Sequence, residues 1–225
     1  MILSSDRLIL FFSLLPLALL GMQAQQPPSL DAIIQEHITT LPNLDKEHEP
    51  LLILFSATAG MGKTTVAKKI EDALGAVRIT LDEVRILMKK YGVYPLTGTE
   101  QDRITCIMNY LDKLLLALEK KSKNHLVILD DTVDRMHQKI ATIAANHKCP
   151  TFLIQVKASK ETAIRRIKAR EKDPQGYLDN MDRWYKDYLA FDSKCIDYAI
   201  DNDTDGKDPA IKPLLDALKT KHTVC

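Results

Sequence analysis

Along the chain, short runs that are apolar at nearly every position alternate with longer segments whose apolar residues recur every three or four positions. Runs of the first kind, at 51–54 (Leu-Leu-Ile-Leu), 125–129 (His-Leu-Val-Ile-Leu) and 152–156 (Phe-Leu-Ile-Gln-Val), predict strands buried on both faces, as in a parallel sheet. Two more strands are expected at 76–80 and near 195–200. Segments of the second kind predict helices from 66, from 82, over 100–121, 134–146 and 160–171, around Trp184 and Tyr185, and over 209–219. The helix at 100–121 has the clearest period, with Ile104, Ile107, Met108, Leu111, Leu114, Leu115 and Leu118 on one face. Gly92, Pro95 and Gly98 break the chain between 91 and 99 into a loop. Strands that alternate with helices predict an α/β fold, with about five parallel strands joined by crossover helices.

The first 50 residues stand outside this alternation. A polar start, an apolar stretch over 8–20 and a small residue at Ala24 have the form of a signal peptide. The stretch is short for a membrane span, which needs about 20 residues, so no stable membrane partner is expected. Residues 1–24 are thus read either as an export signal or as an extension before a true start at Met22, which would leave the protein cytoplasmic. Residues 25–50 read as a lead-in with one helix over 30–40, capped by Ser29. The remainder, 51–225, reads as one domain, because 225 residues are cramped for two. A net charge of +1 lacks the basic excess of proteins that coat long nucleic acids. Cys106, Cys149, Cys195 and Cys225 have neither metal-ligand nor disulfide-scaffold spacing, which fits reduced thiols.

Candidate chemistry begins where the first strand ends, at Phe55-Ser-Ala-Thr-Ala-Gly-Met-Gly-Lys-Thr-Thr65. Strand, glycine-bearing loop and helix in that order make a phosphate cradle. Gly60 and Gly62 let the backbone approach an anion, and successive N–H groups and the helix N-terminus face it together. Lys63 is placed to reach the β- and γ-phosphates, and the Thr64 hydroxyl to ligate Mg²⁺. The pattern G-x-x-x-x-G-K-[ST] carries Ala57 at its first glycine, which requires a negative φ there or roughly 1–2 kcal/mol of strain. Downstream, the run ending at Leu129 leads into Asp130 and Asp131, where a carboxylate beside the nucleotide's Mg²⁺ is expected. Asp131 is favoured and Asp130 is the alternative. Asp82 and Arg85 share one helix face, as do Arg166 and Arg170.

These four elements occur in the order found in one group. The chain resembles P-loop kinases of the polynucleotide 5′-hydroxyl kinase type, a group that includes zeta toxins and chloramphenicol phosphotransferases, from about residue 51 to 202. The resemblance implies a P-loop NTPase-type three-layer sandwich with a helical lid. It implies an ATP- and Mg²⁺-dependent kinase acting on a hydroxyl acceptor, either a nucleic-acid end or a nucleotide-like small molecule. Gly60, Met61, Gly62, Lys63, Thr64 and Thr65 would bind the nucleotide. Asp82 would take the acceptor's proton and Arg85 would hold the acceptor's phosphate. Arg166 and Arg170 would be the paired lid arginines, with Arg166 also acting on the transferring group. Thr64 and Asp131 would face the metal. An NTPase or nucleotide-binding protein without a phosphoryl acceptor is the rival reading.

Overall fold

In strand β1 (Leu51–Ser56), alternate side chains enter opposite cores: Leu52 and Leu54 one, and Leu51, Ile53 and Phe55 the other. That two-residue alternation explains why the run is apolar throughout, since a central strand has no solvent face. The computed structural model describes residues 28–41, 50–121, 126–203 and 210–224. The proposed leader 1–24, the lead-in residues 25–27 and 42–49, His125 and Pro209 lie outside the described residues.

Five parallel strands form one sheet in the order β2-β3-β1-β4-β5. After β1 come β2 (Val77–Ile79), β3 (Leu126–Thr132), β4 (Thr151–Lys157) and β5 (Tyr198–Asp201). One face carries α1 (Leu30–Thr40), α3 (Leu81–Lys90), α4 (Glu100–Lys121) and α5 (His137–Asn146). The other carries α2 (Lys63–Leu74), α6 (Lys160–Arg170), α7 (Gln175–Ala190) and α8 (Lys212–Val224). This is the predicted three-layer sandwich. Chain connections run to opposite sides of β1, so the carboxyl ends of β1 and β3 open at a point where the strand order reverses. Ligand crevices of open α/β sheets lie at such points.

Several boundaries move. β3 continues through Asp130 and Asp131 to Thr132 rather than stopping at 129. Its pairing with β1 jumps from Ile53↔Ile128 to Phe55↔Thr132, so β3 uses four residues where β1 uses two. Such irregularities re-aim side chains near functional sites. α5 starts at His137, not 134, because Met136 N–H bonds the Val133 carbonyl in a turn (2.7 Å). Residues Ser193–Cys195 form a 3₁₀ turn, which delays β5 to Tyr198. The helices at 30–40 and 100–121 match their expected bounds, and Ser29 caps α1 by accepting the Ala32 N–H (3.2 Å). Among the described residues no helix is long and apolar enough to cross a membrane.

α1 does more than lead in. Its Ile34 and Ile38 are buried in the same core as α4 and β1, and His37 hydrogen-bonds the buried Tyr110 hydroxyl. Burial lowers the His37 pKa, with Glu83 opposing, which favours the neutral ring for this contact. Ile34→Ala should therefore destabilise the fold by about 2–5 kcal/mol in urea denaturation. A chain begun at Met22 keeps α1 and should unfold at the wild-type midpoint.

Candidate active site

Loop 57–62 is shaped by two glycines in the left-handed region, Gly60 (φ +80°) and Gly62 (φ +96°). A side chain at either position would collide, with the Ala163 carbonyl of α6 at Gly60 and the Asn202 amide at Gly62. Ala57 is fully buried and not among the positive-φ residues, so the departure from the usual glycine carries no backbone strain there. Gly62 is the N-cap of α2 and supplies no capping side chain, which leaves that helix terminus open toward an anion. Asn202, just past β5, donates its side-chain amide to the Met61 carbonyl (2.7 Å) and so pins the loop. Lys63 Nζ donates to the Thr58 carbonyl (3.4 Å). Thr132, at the end of β3, donates its hydroxyl to the Ala57 carbonyl.

Around this loop lies a cleft lined by Gly60, Gly62, Lys63, Thr64 and Thr65 together with Asp82, Arg85, Asp130, Asp131 and Arg170. Most of the sequence-predicted residues thus meet in one place. Met61 is buried beneath the loop, where its sulfur accepts the Thr58 N–H (3.2 Å). Arg170 reaches the cleft but is paired with Glu171 (2.7 Å). Arg166, one turn earlier, is not among the lining residues. Its charge instead helps hold the Asp203 pKa down, after the hydrogen bonds from Ser159 and Thr162.

The two aspartates of β3 separate to opposite faces. Asp130 accepts the Thr64 hydroxyl (3.2 Å) and pairs with Arg78 of β2 (3.1 Å), which also binds Glu71 of α2 (2.8 Å). Asp131 pairs with Arg85 of α3 (3.0 Å), whose other terminal nitrogen meets Asp82 (2.6 Å). The sequence favoured Asp131 as the metal-linked carboxylate, with Asp130 as the alternative, and it is Asp130 that contacts Thr64. Alternation gives the reason: Asp130 follows Ile128 onto the α2 face, and Asp131 follows Leu129 onto the α3 face. Burial pushes the Asp131 carboxyl pKa up, opposed by Arg85 and Lys63.

A second pocket of ≈ 250 Å³ adjoins the cleft and shares Thr58, Arg85, Asp131, Thr132 and Trp184 with it. Its further walls come from the start of α4, the 133–136 turn and α7. Arg135 ties these together by pairing with Glu100 (2.9 Å) and with Asp187. Sequence reasoning missed Arg78 and Asn202, and it set Trp184 aside as a core aromatic although Trp184 lines both pockets. Of the two missed residues only Arg78 left a signal, as a charged residue between the core positions Val77 and Ile79.

A donor set of one hydroxyl and one carboxylate, Thr64 and Asp130, fits a divalent cation that arrives bound to phosphates. Mg²⁺ commonly takes one or two carboxylates plus substrate oxygens and water. Among the described residues no cluster of three or more His, Cys, Asp or Glu could hold a metal without such help.

Known proteins share this framework. A protein of Methanocaldococcus jannaschii named "Putative adenylate kinase" is 26% identical over 169 residues, which is 75% of this chain and 86% of that protein. The crystal structure of the Mycobacterium tuberculosis APS kinase CysC in complex with AMPPNP and APS superposes with a TM-score of 0.54 at 17% identity, covering 77% of this chain and 99% of that one. Shikimate kinase from Bacteroides thetaiotaomicron gives 0.52 at 13% identity, with 77% and 97% covered. At these identities the two structures establish the P-loop kinase fold and nothing finer. The AAA_33 family, described as an AAA domain, matches residues 52–187, from β1 across the phosphate loop and both β3 aspartates into α7. The chain belongs to that family.

Proposed function

We propose that this protein is an ATP-dependent kinase that transfers the γ-phosphate to a hydroxyl group, with its nearest functional likeness in the polynucleotide 5′-hydroxyl kinase, zeta toxin and chloramphenicol phosphotransferase group. The observation that carries the reading is the adjoining pair of pockets with Arg85 and Asp131 in their common wall. A hydrolase needs only a nucleotide cleft and water, whereas transfer needs a second compartment that opens onto the first. The names of the similar proteins, adenylate, APS and shikimate kinase, agree with phosphoryl transfer.

In this reading the backbone of Gly60–Thr65 cradles the phosphates, and Lys63 offsets charge on the transferring group. Bound Mg²⁺ would be held by Thr64 and Asp130, and it supplies further neutralisation of phosphate charge. Asp82 takes the acceptor's proton, and Arg85 orients Asp82 by the 2.6 Å contact while tying it to Asp131. Arg170 is the lid arginine nearest the phosphates, and Arg166 joins it only if the α6–α7 segment closes further. A second reading follows from the name of the archaeal relative: the acceptor oxygen belongs to a phosphate. Such an oxygen is already ionised and has little need of a base.

Transfer of label from ATP tests both. Lys63→Ala should abolish transfer with the fold intact, and retained activity would remove the phosphate-loop assignment. Asp82→Asn should lower kcat by about 10²–10⁴-fold with ATP affinity almost unchanged, if the acceptor is a hydroxyl. A wild-type kcat in that variant would favour the phosphate acceptor. The two β3 aspartates should separate in a Mg²⁺ titration: Asp130→Asn should raise the Mg²⁺ concentration needed for half-maximal rate, and Asp131→Asn should not. The reverse pattern would return the metal to Asp131.

A further inference from the structure

Arginines supply four of the residues that line the second pocket, and they divide into two kinds. Arg85 is held by Asp82 and Asp131, and Arg135 by Glu100 and Asp187. Arg103, on the first turn of α4, spends one terminal nitrogen on the Leu96 (3.4 Å) and Gly98 (3.1 Å) carbonyls. Arg183, on α7, donates to the Asn180 side-chain oxygen (2.9 Å). Among the described residues neither has a carboxylate partner, and each guanidinium keeps further N–H donors. The remaining acidic residue of the lining, Asp134, accepts the Thr132 hydroxyl (3.2 Å). Burial pushes the Asp134 carboxyl pKa up, opposed by Ser56, Thr132 and Lys63. The same pocket is also lined by the apolar and aromatic side chains of Tyr94, Ile104, Met136 and Trp184.

Arg85 and Arg135 are each engaged by two carboxylates, which leaves Arg103 and Arg183 as the arginines of this lining without a carboxylate partner among the described residues. The pocket's volume of ≈ 250 Å³ also falls just below the roughly 300–1,000 Å³ usual for drug-sized ligands. We infer that this pocket takes a small acceptor bearing a second, unreactive anionic group, a phosphate monoester or a carboxylate, which Arg103 and Arg183 hold while Trp184 and Tyr94 cover its apolar body. The inference rests on the kinase reading for the word acceptor, but its anion site does not. A polynucleotide strand is disfavoured, because it needs an open channel rather than a small pocket.

Trp184 is the only tryptophan in the chain and lines both this pocket and the adjoining cleft, so its fluorescence reports on the two together and the arginine variants assign the signal. At low ionic strength, the iodide-to-caesium ratio of quenching constants at Trp184 should exceed that of free N-acetyltryptophanamide by at least about twofold, well within the tenfold or greater counter-ion enrichment that charged clefts achieve. Neutral acrylamide corrects for exposure. The bias should vanish in the R103Q/R183Q double variant. With Mg²⁺ and a non-hydrolysable ATP analogue saturating the phosphate loop, protection from iodide by sulfate but not acetate would identify a phosphate-type ligand. The opposite order would identify a carboxylate. A ratio equal to that of the free indole, or an excess over it that survives in the double variant, would overturn the inference. Failure of the ATP analogue to bind would defeat the kinase reading and leave the iodide result standing.

Discussion

Everything at the cleft depends on the backbone of 57–62 being held in a conformation that only glycine tolerates at two points. Gly60 lies against the Ala163 carbonyl and Gly62 against Asn202, so α6 and the end of β5 press the loop from outside. The Asn202 amide and the Thr132 hydroxyl then fix it by hydrogen bonds to the Met61 and Ala57 carbonyls. Residues from three distant parts of the chain thereby aim one helix terminus and Lys63 at one small volume. A preformed cradle of this sort binds an anion without the entropic cost of ordering a loop.

A second constraint is the alternation of β3. Two adjacent carboxylates would repel one another in a shared site, and a strand sends them to opposite faces instead. Each then meets its own arginine, Arg78 for Asp130 and Arg85 for Asp131. Division of labour follows from that geometry: Asp130 stands beside Thr64 and the cradle, while Asp131 and Asp82 bracket Arg85 in the wall toward the second pocket. Neither of these partly buried ion pairs need add net stability, since desolvation can offset the attraction. Their evident effect is to fix where each carboxylate points.

The strands were legible because central parallel strands are apolar on both faces, and α4 because seven apolar residues from Ile104 to Leu118 held one period over about four turns. The phosphate loop was legible because its chemistry is local: glycines, lysine and hydroxyl lie within a few residues. What lay hidden was long-range or turned on a boundary. Ending β3 at 129 withheld the alternation that separates Asp130 from Asp131, and an apolar-run criterion cannot see a strand that continues through acidic residues. Asn202 sits 141 residues from the carbonyl it holds, with no sequence pattern to connect them. The second pocket assembles from the start of α4, a turn and α7, each of which reads alone as a polar surface.

The central claim is that loop 57–65 holds a nucleoside triphosphate with the carboxylates of β3 close by. Amide chemical shifts of the ¹⁵N-labelled protein, followed through a titration with Mg·ATP, test it without presuming any acceptor. The account predicts the largest shifts at Gly60, Gly62, Lys63, Thr64 and Thr65, with smaller ones at Asp130 and Asp131. Saturable binding that leaves those five amides unmoved, or no binding at millimolar nucleotide, would contradict it.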